Sequence, residues 1–234
     1  ADFIARYKRL EGYDVKFVTG TDEHGQKIQK SADERKLSPD VFCNEISKVF
    51  LDLTKTLNLS NTDFIRTTEE RHHKTVQNLW KILEEKKFIY LSKYTGWYSV
   101  SDEAFYAESE IIEKDKIKLC EATGSAVEWV EEESYFFKLS KFQNLLIKHY
   151  EDNPDFIQPP SRRNEVMSFV KGGLKDLSIS RNSFKWGISV PNSENHIVYV
   201  WLDALTNYLT AANYFDDNSF WPADVHIIGK DILR

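Results

Sequence analysis

The sequence predicts an α/β protein built on a parallel sheet with helices on both faces. Three stretches carry that prediction. The run Val15-Lys16-Phe17-Val18 breaks into Thr19-Gly20-Thr21-Asp22-Glu23-His24-Gly25 and then a helical pattern over residues 26–36. Ile197-Val198-Tyr199-Val200-Trp201 leads through Leu202-Asp203 into a helical stretch over 204–213. Val225-His226-Ile227-Ile228 runs into Gly229-Lys230-Asp231 and the start of another helix. Nearly continuous apolar strands suit a parallel sheet that is covered on both sides. Three polar turns of this kind would gather at the carboxyl edge of the sheet, where open α/β sheets bind ligands.

The first of these turns is the one around which the chain is organised. It holds two carboxylates and an imidazole between glycines. Ordinary turn chemistry also favours Gly and Asp, so the turn taken alone decides little. Convergence of three such turns favours a binding cleft.

Ahead of the first strand, Phe3, Tyr7 and Leu10 share one face of a helix that Gly12 can end. The chain opens already helical, without an initiator Met, and closes inside an incipient helix, which reads as an interior piece of something longer. Ser38-Pro39 opens a further helix, Ser as cap and Pro at its first position. Its apolar positions are Val41, Phe42, Ile46, Val49, Phe50, Leu53 and Leu57. Residues 63–66 read as a short strand. Thr67 with Glu70 has the form of a capping box, before a helix with core face Val76, Leu79, Trp80 and Leu83. His72 and His73 lie on that helix; neighbours in sequence do not share a helix face, so the pair is a poor metal site and reads as surface histidines.

Character changes at Phe88. Short β-like runs occupy 88–91, 96–100 and 103–106, followed by a charged stretch over 108–118, a turn at 122–125 and a strand over 127–130. Glu131-Glu132-Glu133 reads as a solvated edge. Ser140 with Gln143 suggests a second capping box and a helix to about residue 152. Pro154, Pro159 and Pro160 mark a connection, residues 162–171 a helix ended by Gly172-Gly173, and 177–181 a strand. The region from 88 to 196 therefore reads as an insertion, first β and then α, between halves at 1–87 and 197–234.

Composition bounds the function. With 41% apolar and 29% charged residues the chain can bury a core and stay in solution. A formal net charge of −6 argues against a whole-surface nucleic-acid binder, though not against a local basic patch. Two distant cysteines, Cys43 and Cys120, form neither a disulfide framework nor a CxxC metal knuckle, which suits a reducing compartment. No apolar run is long enough for a transmembrane span. The phosphate-loop, zinc-protease and serine-hydrolase motifs do not occur.

The residues of the cleft suggest roles. Asp22 can pair with a ligand ammonium, and His24 can donate a hydrogen bond to a bound group or simply be satisfied within its turn. Asp231 fits a ribose hydroxyl, with Gly229 letting a ligand approach the backbone; Lys230 meets a phosphate or is merely solvated. Trp201, Ala204, Leu205 and Tyr208 form one helical stripe, a pattern more typical of core than of pocket.

Several spaced stretches resemble the methionyl-tRNA synthetases, a family of class I aminoacyl-tRNA synthetases. They are Ala5-Arg6-Tyr7-Lys8-Arg9 with Gly12-Tyr13-Asp14-Val15; Thr19-Gly20-Thr21-Asp22-Glu23-His24-Gly25-Gln26-Lys27; Gly96-Trp97-Tyr98 with Ser101-Asp102-Glu103-Ala104-Phe105-Tyr106; Glu128-Trp129-Val130 through Tyr135-Phe136-Phe137; Asp176-Leu177-Ser178-Ile179-Ser180-Arg181; Val200-Trp201-Leu202-Asp203-Ala204-Leu205; and Ile228-Gly229-Lys230-Asp231-Ile232. The match runs essentially end to end.

The resemblance implies a Rossmann-like catalytic domain split by a connective-peptide insertion. It implies activation of methionine with ATP and Mg2+ to methionyl-adenylate, then transfer to tRNA(Met), by a cytoplasmic or organellar, non-membrane monomer. On the matching positions Asp22 would hold the methionine ammonium, with His24 beside it. Val198, Trp201, Ala204, Leu205, Tyr208 and Ile232 would line the side-chain pocket, and Gly229 and Asp231 would contact the adenosine. The family's HIGH signature is expected upstream of residue 1, and its KMSKS signature and a pocket histidine beyond Arg234; the anticodon-binding domain is also outside this sequence. The chain alone is therefore expected to bind weakly and not to catalyse, and no catalytic residue is assigned within it. Two lone cysteines place it with the members that lack structural zinc. The insertion looks too small for the editing domain of the synthetases for Val, Ile and Leu. Two other readings are a non-catalytic synthetase-like module that binds amino acid or nucleotide, and a nucleotidyltransferase of the same fold with another substrate.

Overall fold

The computed structural model describes all residues except 115, 218, 219, 230, 231 and 234. Helix α1 (Asp2–Leu10) is followed by strand β1 (Val18–Thr21), helices α2 (Gln26–Glu34) and α3 (Pro39–Thr56), strand β2 (Asp63–Arg66) and helix α4 (Glu70–Glu85). β1 and β2 pair in parallel, Val18 opposite Asp63 and Thr21 opposite Arg66, with α2 and α3 as the crossover. Thr19, Gly20 and Thr21, expected in the polar turn, are strand residues. Gly20 is required there: a Cβ on it would lie 1.9 Å from the Ile65 carbonyl oxygen.

Ser38 caps α3 as expected, its Oγ accepting from the Val41 N–H at 3.4 Å. Of the apolar positions on α3, Phe42 is buried and Ile46 half-buried against the same cluster, while Val41, Val49, Phe50, Leu53 and Leu57 are exposed. The expected capping box at Thr67 and Glu70 does not form. Glu69 occupies the N-cap of α4 without a side-chain bond, and the Thr67 Oγ1 accepts instead from the Glu23 N–H at 2.9 Å.

The next region folds around an antiparallel sheet, β4-β3-β7-β8 in spatial order. β3 (Ile89–Ser99) is one long strand where two were expected. It pairs with β4 (Ala104–Tyr106) and, along almost its whole length, with β7 (Glu128–Phe137). The charged stretch contains the hairpin β5 (Ile111–Lys114) and β6 (Ile117–Cys120). Glu131 to Glu133 lie within β7, whose alternation exposes Glu131 and Glu133 but buries Glu132. Helices α5 (Gln143–Asp152) and α6 (Pro160–Lys171) follow. Ser140 and Gln143 do not cap α5: the Ser140 hydroxyl donates to Asp176 and the Gln143 Oε1 accepts from the Leu174 N–H at 2.7 Å.

The strand expected over 177–181 splits in two. β8 (Leu177–Ser178) joins β7, and β9 (Ser180–Arg181) pairs antiparallel with β10 (Ile197–Val198). This segment stitches the antiparallel sheet to the last helix, α7 (Val200–Ala211). The second and third apolar runs thus depart from expectation. Only Ile197 and Val198 form strand, their pairing is antiparallel, and helix begins at Val200; residues 221–229 form neither helix nor strand. One parallel pair, β1–β2, is present among the described residues.

The main core brings these parts together. Val76 and Trp80 of α4 pack with Ile89 of β3, with Ile179, Ile188 and Val190, and with Val198 of β10. No helix among the described residues is long and apolar enough to cross a membrane.

Candidate substrate site

The turn after β1 is held from several sides. Glu23, 3% exposed, points inward. Its carboxylate accepts from the Arg66 Nε at 2.7 Å and Nη2 at 2.9 Å, and from the hydroxyls of Thr21 at 2.5 Å and Thr68 at 2.6 Å. Its carbonyl accepts from the Trp186 Nε1 at 2.6 Å and from the Cys43 thiol at 3.4 Å. Burial pushes that thiol up to about 12, so Cys43 serves as a packed donor, not a nucleophile. Gly25 follows at φ +106°, the left-handed side that suits glycine, and caps α2.

Fixing Glu23 inward sends Asp22 outward. The residue reaches solvent, but its carboxyl is closely flanked by protein. Desolvation raises it from 3.8 to about 7, with further repulsion from Asp203 and Glu103; His24 and its backbone N–H oppose the rise. Such a group holds a cation far better than it holds a bare charge.

Glu103 comes from the turn between β3 and β4, with φ +49°. Its carboxyl lies against the start of α2, so that a Cβ on Gly25 would sit 2.4 Å from its Oε1. Burial raises it, against the pull of Lys27, the Lys27 backbone N–H and Arg181. Its carbonyl accepts from the Tyr199 hydroxyl, and from the Trp201 Nε1 at 3.2 Å. Beneath it Arg181, 1% exposed, pairs with Glu132 and stacks over Tyr98 at 4.2 Å and Phe105 at 5.1 Å.

Helix α7 faces the opposite way from an ordinary amphipathic helix. Its polar residues Asp203, Thr206 and Thr210 are buried, whereas Trp201 is 40% and Leu205 50% exposed. Of the stripe, Trp201 and Leu205 are thus exposed and Ala204 and Tyr208 half-buried, so it is not a core face. Asp203, fully buried, accounts for the inversion. Its Oδ2 accepts from His24 Nδ1 at 2.6 Å and its Oδ1 from His72 Nε2 at 2.7 Å. Burial alone would raise its pKa, but the two imidazole bonds more than offset this and leave it lowered.

The structure thus joins Asp22 and His24 to α7. Val198 stands apart, 2% exposed within the main core. Tyr208 stacks on His226, ring centroids 4.8 Å apart. Gly229 is exposed, with nothing near its would-be Cβ, and its carbonyl accepts from the Ile232 N–H at 3.2 Å. Ile232 is 44% exposed. Asp231 and Lys230 lie outside the described residues. Among those residues no group of three His, Cys, Asp or Glu could hold a metal ion.

Sequence reasoning missed Asp203 and misplaced His72. The signal was present for the histidine: His72 is four residues before Val76 and eight before Trp80, on the core face of α4. It is fully buried, and its Nδ1 meets the Thr210 hydroxyl at 2.9 Å. His73 is half-buried, its ring 5.5 Å from that of His24.

The chain thus combines a parallel β-α-β unit, whose first strand ends in an acidic turn, with the antiparallel sheet β4-β3-β7-β8. The chain matches the family described as tRNA synthetases class I (M) over residues 1–234, and it belongs to that family. It is 56% identical to a methionine–tRNA ligase of Rickettsia conorii over 238 aligned positions, covering 100% of this chain and 46% of that protein. A methionine–tRNA ligase of Rhizobium meliloti is 54% identical with the same coverage. Among solved structures, Mycobacterium tuberculosis methionyl-tRNA synthetase bound by methionyl-adenylate is similar at a TM-score of 0.96 and 51% identity, over 100% of this chain and 47% of that one. The free-state form of that enzyme is similar at 0.84. The fold is accordingly Rossmann-like α/β, and the chain spans about half the length of the relatives it matches.

Proposed function

We propose that this chain is the central part of a methionine–tRNA ligase, which activates methionine with ATP to methionyl-adenylate and pyrophosphate and then charges tRNA(Met). The inverted face of α7 carries the reading: an exposed aromatic and aliphatic stripe on the helix that His24 ties to the turn of Asp22. The Asp22 carboxylate accepts the methionine ammonium, which neutralises a group held near neutrality by desolvation. Trp201, Ala204, Leu205 and Tyr208, with Ile232, offer the thioether apolar and aromatic contacts, worth about 0.3–1.5 kcal/mol for sulfur on a ring. Val198, buried in the main core, is not part of that wall.

Gly229 and Asp231 contact the adenosine in this reading. ATP is the co-substrate with Mg2+, and no structural zinc is required. Residues 1–87 and 197–234 belong to the catalytic domain, and 88–196 form the connective insertion that brings Glu103 to the start of α2. The protein acts as a soluble monomer in the cytoplasm or an organellar matrix.

The test is amino-acid-dependent ATP–pyrophosphate exchange on the full-length protein with each of the twenty amino acids. Exchange with methionine, lost in Asp22→Ala, supports the reading. No exchange from folded full-length protein overturns it and leaves a binding module.

A further inference from the structure

The buried polar chain under the site has no role in the chemistry described so far. It runs from His24, on the turn, through Asp203 on α7 to His72 on α4 and ends at Thr210, back on α7. All four residues are buried, and its links join segments more than a hundred residues apart in sequence. A carboxylate can only accept, so Asp203 fixes a proton on His24 Nδ1 and on His72 Nε2. That orients both rings and, through His24, the backbone of the Asp22 turn.

We propose that the His24–Asp203–His72–Thr210 chain is the positioning device of the ammonium site, clamping the turn of Asp22 onto α7 and α4 and setting, through the buried Asp203 carboxylate, the field in which Asp22 meets a cation. The inference rests on the assignment of Asp22 to the ligand ammonium. Asp22 is faced by Asp203 from α7, by Glu103 from the β3–β4 turn and by His24 from its own turn. Asp203 is faced by His24 from the turn and by His72 from α4, with His73 alongside. Three carboxylates therefore share one small region, and the histidines keep the innermost, Asp203, ionised while Asp22 awaits a cation. Asp203 is a positioning residue: it acts through His24 and through its charge, without touching substrate.

The experiment uses the full-length protein and measures the KM for methionine and for ATP in pyrophosphate exchange between pH 5.5 and 9. Asp22→Asn tests the site itself. Asp203→Asn keeps the shape of the side chain but removes its charge. Its methionine KM at pH 8 should rise about tenfold, the scale of one charge-assisted hydrogen bond, with the ATP KM unchanged. The acid limb of its methionine KM should move to lower pH than in the wild type, because Asp22 then ionises without the Asp203 anion, Glu103 alone remaining. A purely structural defect would raise KM without moving that limb, and an unmoved limb overturns the proposal. If Asp22→Asn leaves the methionine KM unchanged, the ammonium assignment fails instead, which separates the two. Should Asp203→Asn not fold, Thr210→Val takes its place, removing the anchor of His72 one link further from the site; an unchanged methionine KM in that variant overturns the proposal.

Discussion

The cluster around Glu23 gives the sharpest stability prediction. Its side chain is 4% exposed and accepts both Arg66 bonds, while Arg66 is 25% exposed. Breaking a buried pair by removing one partner costs about 3–5 kcal/mol, because the other charge is left without compensation. Glu23→Gln keeps the shape but turns an amide N–H toward a guanidinium that water can partly reach, so its effect belongs at the lower end, about 3 kcal/mol. Arg66→Met leaves the more deeply buried charge with only the Thr21 and Thr68 hydroxyls, so it belongs nearer the upper end, about 4–5 kcal/mol. The two losses would sum to about 7–8 kcal/mol if independent, but they describe one interaction. The double variant, with neither charge, should lose only about 3–4 kcal/mol, a coupling near 4 kcal/mol. Urea unfolding of the full-length protein and the three variants, read at the first cooperative transition, measures the cycle. Single losses below about 1 kcal/mol that simply add would refute the reasoning.

Three further outcomes follow from the same region. Gly20→Ala forces a Cβ against the Ile65 backbone, which cannot rotate away; it should destabilise by about 3 kcal/mol and raise the methionine KM, whereas Gly124→Ala, at φ +73° in open space, should change stability by no more than about 1–2 kcal/mol and leave that KM alone. Methionine binding should strengthen about tenfold between pH 6 and pH 8 as Asp22 ionises through about 7; a flat titration by equilibrium dialysis would refute this. Because the folded-state pKa of Asp22 lies above its ordinary value, its charge weakens the fold as pH rises from about 4 to about 7; denaturation midpoints should show Asp22→Asn matching the wild type below that window and exceeding it above.

Much of this was legible in the chain. Ser38-Pro39 set the start of α3 and Gly172-Gly173 the end of α6, because capping is decided by residues within one turn of each other. The strand–turn–helix order at residues 15–36 and the spaced family matches point to Asp22. Local chemistry misled where a long-range partner existed. Thr67, Ser140 and Gln143 have capping side chains, but Glu23, Asp176 and Leu174 use them instead. Glu132 looked like solvated charge until Arg181 was found against it.

The position of most helices, the acidic turn with Asp22 and the family all follow from neighbours within a few residues or from ordered motifs. Which face of α7 lies inside depends on long-range contacts. Its apolar stripe would by periodicity alone be turned to the core. Asp203 reverses that, because its partners His24 and His72 stand 179 and 131 residues away and can satisfy a buried carboxylate only when three segments meet. The same meeting leaves Trp201 and Leu205 at the surface, although the sequence presents them as core.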